Sequence, residues 1–333
     1  MSHFTLLVVT RERPDEGMLE ELLQPWHEYE CTGIDDDYVI DVDETGTVHD
    51  RWAEIVEAVQ LADGTLARHS DPRFWSEAGG KPRLTLPHGA RVVNVPRCEL
   101  EAANDQTIES WASAYGGWTS DGAGNFYTHT NPEARWDWWV VGGRWSGFFR
   151  LKPGVSRVVG QPGAFGPMRE GDLYADCARL VDIDIETMQG DSVREVVKAW
   201  HKAREVTAGL PQALAWADLK SSMGDAGIEA VRAAYWQQPA VKALQSAFPT
   251  LFEPDTLIES VQQDRETIIA RAKAATFAVH AYLKDGYWHE QGEMGWFGIS
   301  RDEQPVDQWN TEVAAMVASL DPSVWLTLVD CHI

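Results

Sequence analysis

The sequence predicts an α+β protein in which one sheet is assembled from strands at the two ends of the chain. Three observations lead to this fold class. The chain opens with a short apolar, β-rich run at Phe4 to Val9 and approaches its end with another at Val324 to His332. Between them, apolar residues recur mostly at helical spacing, most densely over residues 192–273. We therefore expect helices packed on the sheet and a central helical insertion.

The elements before residue 120 follow from periodicity. Glu16 to Trp26 carries Leu and Met at helical spacing and predicts a helix after the first strand. Tyr38 to Asp43 alternates apolar and acidic residues, which predicts a strand with one acidic face. Further helical patterns lie at Asp50 to Leu61 and at Asp105 to Tyr115. The Gly-, Pro- and His-containing stretch from Ala78 to Pro96 is expected to form loops and short strands.

Glycine and proline shape the next region. Trp145 to Leu151 predicts a strand that leaves a Gly142-Gly143 turn, and Pro153 to Gly171 predicts a loop. Near the end of the chain, the Asp285-Gly286 step predicts a hairpin. A helix is expected at Gln304 to Leu320. The predicted parts are an α+β part (1–191), a helical insertion (192–273) and a C-terminal part that completes the sheet (274–333).

Composition narrows the class of protein. The chain has 333 residues and a formal charge of −24, from 52 acidic and 28 basic side chains. Binding of duplex nucleic acid requires clustered Lys and Arg, so this partner is not expected. The 16 Trp exceed what a core of this size requires, which suggests that some aromatic surface contacts a ligand.

Cellular location is predicted from three absences. The first ten residues have no basic leader, and no run of 18 apolar residues follows, so neither a signal peptide nor a membrane span is expected. The four cysteines are spread singly, which encodes neither a disulfide framework nor a zinc ribbon. A reducing cytoplasm fits this pattern best.

Several unusual strings occur along the frame of the chain: HEYECTG from His27, TNPEARWDWWVVGGRWSGF from Thr130, DGYWHEQGEMGWFG from Asp285 and the terminal VDCHI from Val329. With the SHFTLLVV opening, they resemble a family of uncharacterised bacteriophage and bacterial proteins. This resemblance implies a phage or mobile-element setting inside the cell and no particular activity. Trp139 and Val141 stand where the resemblance leads us to expect other residues.

The segment Asn131 to Phe149 is the first candidate site. A planar ligand could stack on its tryptophans, with Arg144 as anchor for a phosphate or carboxylate and Gly142 and Gly143 admitting backbone amides. Its predicted ligand-binding residues are Trp136, Asp137, Trp138, Arg144 and Trp145. The alternative is an aromatic core in which Arg144 pairs with an acidic neighbour such as Asp137.

The second candidate site combines the two ends of the chain. Imidazole, carboxylate and thiol are ligands of zinc and related ions, which predicts a divalent metal bound by His27, Cys31, Asp330 and His332. His27, Glu28 and His332 are the candidate catalytic residues. On the last strand, Asp330 and His332 point to one face and Cys331 to the other. The alternative is that the cysteines are buried as small apolar residues and the histidines only form hydrogen bonds.

These residues predict a cytoplasmic protein that binds a small, nucleotide-like or otherwise planar and anionic molecule. The expected activity is that of a hydrolase or modifying enzyme. The alternative is a non-catalytic counter-defence or regulatory protein that sequesters a host protein or a signalling molecule. The residues locate a site more sharply than they define a reaction.

Overall fold

The computed structural model describes residues 2–28, 37–78, 81–224, 226–249, 255–295 and 300–333. The chain forms two compact units, which we call the first unit (Met1–Gln24 with Arg135–Ile333) and the second unit (Pro25–Ala134). They do not coincide with the predicted parts 1–191, 192–273 and 274–333. The helical region belongs to the same unit as both terminal strands, and its last helix, Arg265–Ala274, contacts the helix Val306–Ser319 that packs on them.

Helices and strands come in groups along the chain, and six helices of the described ranges follow one another between Ile185 and Ala274. The helices are α1 (Glu16–Leu23), α2 (Thr45–Ala53), α3 (Arg97–Ala102), α4 (Ile108–Gly116), α5 (Ile185–Thr207), α6 (Trp216–Ser222), α7 (Ile228–Gln237), α8 (Pro239–Ala247), α9 (Asp255–Ser260), α10 (Arg265–Ala274) and α11 (Val306–Ser319). Short 3-10 turns lie at Gln24–Trp26, Pro72–Phe74, Leu180–Asp182 and Ala275–Phe277. No helix within the described ranges is long and apolar enough to cross a membrane.

The strands before the helical region are β1 (His3–Thr10), β2 (Ile40–Asp43), β3 (Ile55–Gln60), β4 (Leu66–Arg68), β5 (Trp75–Ala78), β6 (Lys81–Leu84), β7 (Arg91–Pro96), β8 (Thr119–Ser120), β9 (Phe126–Thr130), β10 (Trp138–Gly143), β11 (Phe149–Arg150), β12 (Gln161–Pro162), β13 (Tyr174–Ala175) and β14 (Cys177–Arg179). Those after it are β15 (Ala281–Lys284), β16 (Tyr287–Glu290), β17 (Glu293–Met294), β18 (Ser300–Arg301) and β19 (Trp325–His332).

The first unit is built on a mixed sheet with the strand order β12-β10-β19-β1-β15-β16, in which β14 also pairs with β19. The two terminal strands are its centre: β1 pairs antiparallel with β19 from His3 opposite His332 to Thr10 opposite Trp325. This confirms the predicted α+β class with a sheet assembled from both ends. The predicted hairpin is also confirmed, since Asp285 and Gly286, both with positive φ, join β15 to β16.

Helices α5 and α11 cover one face of this sheet. Leu7, Leu328 and Trp309 belong to a single buried cluster that joins β1, β19 and α11. Burying one leucine side chain contributes about 1.5–3 kcal/mol to the stability of the fold. The cluster therefore determines which face of β19 the helices cover. A second apolar cluster holds the helical region together and includes Tyr235, Val241 and Leu244.

The second unit contains two three-stranded sheets, in the orders β2-β9-β8 and β4-β3-β7, and the β5-β6 hairpin. Its aromatic core is formed by Trp111, Trp118 and Phe126 with Val48 of α2. The predicted helix from Asp50 to Leu61 is wrong beyond Ala53. Its second half is strand β3, because β-branched residues there pair with both β4 and β7, and this pairing overrides the helical spacing.

Candidate functional site

One end of the first unit's sheet carries a row of aromatic and imidazole side chains. His3 on β1 lies opposite His332 on β19, and Trp138 on β10 lies opposite His332 from the other side. Directly opposed residues on neighbouring strands project to the same face. The ring centroids are 4.9 Å apart for His3 and His332 and 6.5 Å apart for Trp138 and His332. The three rings therefore form one continuous surface.

Each histidine of this row is held by a carboxylate. The Nδ1 atom of His3 lies 2.8 Å from Oδ1 of Asp330, and Nδ1 of His332 lies 2.6 Å from Oδ1 of Asp137. A carboxylate at Nδ1 orients the ring and favours the tautomer in which Nε2 accepts a proton. Within the described ranges, neither Nε2 atom has a hydrogen-bond partner. Both rings thus keep one nitrogen for a ligand.

The four side chains differ in burial. The exposed fractions are 15% for His3 and 2% for Asp330, against 13% for His332 and 19% for Asp137. Both imidazoles reach the surface, whereas the carboxylate behind His3 does not. We call His3, Asp330, His332 and Asp137 the two-histidine cluster.

Asp330 is positioned by the turn that follows β10. Its Oδ2 accepts the backbone N–H of Arg144 at 2.8 Å. Gly143 precedes that residue with φ +51°, and a Cβ there would overlap the Asp330 carboxylate. The turn can approach Asp330 so closely only because position 143 has no side chain.

A second buried carboxylate lies behind the same turn. Asp176 is fully buried and accepts hydrogen bonds from Ser146 Oγ at 2.8 Å, Gly147 N at 2.5 Å and Gly160 N at 2.8 Å. Gly142, with φ +82°, is in close approach to this carboxylate. The glycines predicted to bring amides to a ligand therefore make room for two internal carboxylates, Asp176 and Asp330.

The tryptophans of the predicted site separate into two groups. Trp138 is 51% exposed and presents its ring beside His332. Trp136 is only 5% exposed and its indole donates to the Leu23 carbonyl at 3.1 Å. Trp145 is half-buried and packs against the core of the first unit. Trp138 is thus the tryptophan of the three that offers an exposed ring, and a ligand-binding role for Trp136 and Trp145 stays a prediction.

The side chain of Arg144 is exposed, although its backbone is held by Asp330. The alternative of an ion pair with Asp137 is not formed, since Asp137 bonds to His332. In the part of the chain that the structure describes, the guanidinium has no ion-pair partner. It is free to meet an anion.

The remaining predicted residues are His27, Glu28 and Cys31. His27 and Glu28 belong to the second unit, where the His27 carbonyl accepts from Asn131 Nδ2 at 3.0 Å. Cys31 lies outside the described residues. Among the residues described, no group of three His, Cys, Asp or Glu side chains is arranged to hold a metal ion. The predicted metal set includes Cys31, so the set of His27, Cys31, Asp330 and His332 stays a prediction.

Cys331 confirms the predicted facing of the last strand. It is fully buried on the face opposite to its neighbours Asp330 and His332. Burial raises the pKa of its thiol well above the ordinary value, and the nearby Asp330 carboxylate adds to this. A thiol held in this form is a poor nucleophile.

Two residues of the site, His3 and Asp176, were not among the predicted ones. His3 stands two positions before Thr5 on the same face of β1, and the alternation of the opening strand could have found it once the terminal strands were paired. Asp176 has no sequence signal, because its role depends on the turn from Gly142 to Gly147. No protein family, curated protein or solved structure matches this chain. What the site can do is inferred from its own geometry.

Proposed function

We propose that this chain is a cytoplasmic hydrolase that cleaves a phosphate ester bond in a nucleotide-like small molecule. The observation that carries the proposal is the pairing of two imidazoles, each with its Nδ1 on a carboxylate, at a centroid separation of 4.9 Å. Imidazole is the side chain whose charge changes nearest neutral pH, so two of them can serve as base and acid in one step.

The step follows from the free Nε2 atoms. One neutral imidazole of His3 or His332 takes a proton from water as the water oxygen bonds to phosphorus. The other, protonated, gives its proton to the leaving oxygen as the phosphorus–oxygen ester bond breaks. The carboxylates of Asp330 and Asp137 stabilise the imidazolium in each half of the step. Atoms and charge balance without any further reactant.

Substrate binding is assigned to Trp138 and Arg144. The half-exposed indole of Trp138 lies in the same row as the two imidazoles and offers a stacking face for a base. The backbone N–H of Arg144 holds Asp330. The exposed guanidinium of the same residue supplies a planar fork for a phosphate. In a chain of charge −24, such a cation is needed to hold an anion.

The test is turnover of a defined panel by the full chain. The panel contains 2′,3′-cyclic and 3′,5′-cyclic mononucleotides, cyclic dinucleotides and linear dinucleotides, with products separated by chromatography and identified by mass. We expect cleavage of at least one class, reduced about 10²- to 10⁴-fold in His3→Ala and in His332→Ala. His201→Ala is the matched control, since His201 is exposed on α5 and lies outside the cluster.

Two results would overturn the proposal. The first is no cleavage of any panel member above a blank reaction. The second is cleavage that survives both histidine substitutions. A ligand that binds one to one and is recovered unchanged after denaturation would instead identify a protein that sequesters a signalling molecule.

A further inference from the structure

The second unit contains a cavity of about 490 Å³ that the two-histidine cluster does not use. All of its lining residues lie between Val56 and Tyr115, so the cavity is formed by the second unit alone. Small-molecule sites fall in the range of about 300–1,000 Å³. The space therefore has the size of a site for one small molecule.

One wall of the cavity is aromatic. Trp111 and Tyr115 line it and stack on each other with centroids 5.1 Å apart and planes at 16°. Trp111 is buried in the core, whereas Tyr115 is 54% exposed. A large exposed aromatic ring that is fixed by a stacked, buried neighbour is a rigid platform for another flat ring.

A guanidinium lies beside the same wall. The Arg97 guanidinium lies 5.4 Å from the ring centroids of both Trp111 and Tyr115. Its own N–H groups are engaged, since Nε donates to the Arg51 carbonyl at 2.9 Å and Nη2 to Glu54 at 2.8 Å. Arg97 is thus held beside the platform by its ion pair with Glu54 and keeps its position without a ligand.

The cavity also contains a guanidinium with unused donors. Arg68 lines it and donates through Nε and Nη2 to the buried carboxylate of Glu101, with Nε 3.1 Å from Oε2. Glu101 is 4% exposed, so the pair is a built feature of the interior. A guanidinium has five N–H donors, and among the described residues Nη1 of Arg68 bonds to none. This edge can receive a phosphate or carboxylate oxygen.

We propose that this cavity binds a mononucleotide, with the base stacked on Tyr115 and the phosphate on the free edge of Arg68. A planar ring and an anionic group are the two features that the walls accept. His69 and Ser70 line the same space and supply further polar contacts. This site is separate from the proposed hydrolase site and does not depend on it.

Calorimetric titration of the full chain with the four 5′-mononucleotides, the four nucleosides and inorganic phosphate tests the site. We expect at least one mononucleotide to bind below about 1 mM and its nucleoside to bind more weakly. Tyr115→Ala should weaken binding about five- to 150-fold, the range for loss of one stacking aromatic. Tyr115→Phe keeps the ring and should leave the affinity within about twofold. Arg68→Lys keeps a charge for Glu101, loses the fork and should remove the advantage of nucleotide over nucleoside.

The double variant His3→Ala/His332→Ala distinguishes this site from the first. It should bind mononucleotide as the unaltered chain does. The proposal is overturned if no mononucleotide binds, if Tyr115→Ala binds with unchanged affinity, or if the double histidine variant loses binding. Circular dichroism of each variant, compared with the unaltered chain, confirms that the comparison is made on folded protein.

Discussion

His3 and His332 lie directly opposite each other on the two central strands of the first unit, and their rings meet edge to face at 4.9 Å. The two residues are 329 positions apart in the sequence, which follows from 332 − 3. Each ring is oriented by its own carboxylate, Asp330 or Asp137. The following expectations test this arrangement and the structure that supports it.

Asp137→Asn should lower turnover of any substrate found in the panel while leaving the fold intact. Asp137 is partly exposed and its carboxylate bonds to His332 Nδ1. The amide introduced by the substitution would favour the His332 tautomer with its proton on Nε2, and it would no longer stabilise an imidazolium. We expect kcat to fall about 10²-fold or more with little change in KM. The measurement is a pH–rate profile for both proteins. An unchanged profile would show that Asp137 does not act through His332.

Gly143→Ala should destabilise the first unit more than Gly154→Ala does. Both glycines have positive φ, so both substitutions carry the backbone cost of about 1–2 kcal/mol. Only at position 143 does the new methyl also meet the Asp330 carboxylate, whereas nothing lies within 4 Å at position 154. Urea unfolding of the two variants measures the difference. Equal midpoints would mean that the turn moves away from Asp330 without cost.

His280 should make the folded state less stable as the pH falls below about 6.5. Burial lowers the pKa of His280, and it outweighs the nearby Glu290 and Glu303 carboxylates and the bond to Gly292, which act in the opposite direction. The unfolded chain therefore binds the proton more tightly, so stability is complete above the unfolded value near 6.5. This stability is lost as the pH falls from the unfolded pKa toward the lowered pKa of His280 in the folded state.

The measurement for His280 is thermal unfolding at pH 5.5 and 7.5 of the unaltered chain and of His280→Phe. The variant should show a smaller loss of Tm between the two pH values, because it has no imidazole to protonate. His201→Phe provides the control on an exposed histidine and should show the same loss as the unaltered chain. Identical losses in all three proteins would contradict the assignment.

Cys177 and Cys331 should resist alkylation in the folded protein. Both are buried, and burial raises the pKa of each thiol, so little thiolate forms at neutral pH. Cys98, which is partly exposed, should react before either of them. Peptide mapping after treatment with N-ethylmaleimide, with and without denaturant, resolves each position. Labelling of Cys331 at the rate of Cys98 would contradict the burial of this thiol.

The sequence was most informative where a pattern is local. The apolar run at Phe4 to Val9, the Asp285-Gly286 step and the helical spacing after Gln304 each predicted an element that the structure contains within a few residues. The facing of Asp330 and Cys331 on the last strand followed from period two alone. Strand β3 was missed because its pairing with β4 and β7 is decided by residues distant in sequence.

Local sequence features also pointed to some residues of the candidate site. Asp137, Trp138 and His332 were named as candidate site residues, because they lie in segments where aromatic and imidazole side chains stand out. Their neighbour His3 was not predicted, because its place in the site depends on the pairing of β1 with β19. The role of Gly143 was not predictable, because a positive φ explains a turn but does not identify the carboxylate that the turn encloses.

The pairing of β1 with β19 also has a consequence for synthesis on the ribosome. Both neighbours of β1 in the sheet, β15 and β19, are made after residue 280. Until then β1 is an apolar strand with unpaired edges, which is the kind of segment that chaperones shield and that aggregates when it is left exposed. The second unit, by contrast, is one contiguous segment, Pro25–Ala134, and all of its strands are available early. The order of synthesis therefore favours a nascent chain in which the cavity of the second unit forms well before the pair of histidines.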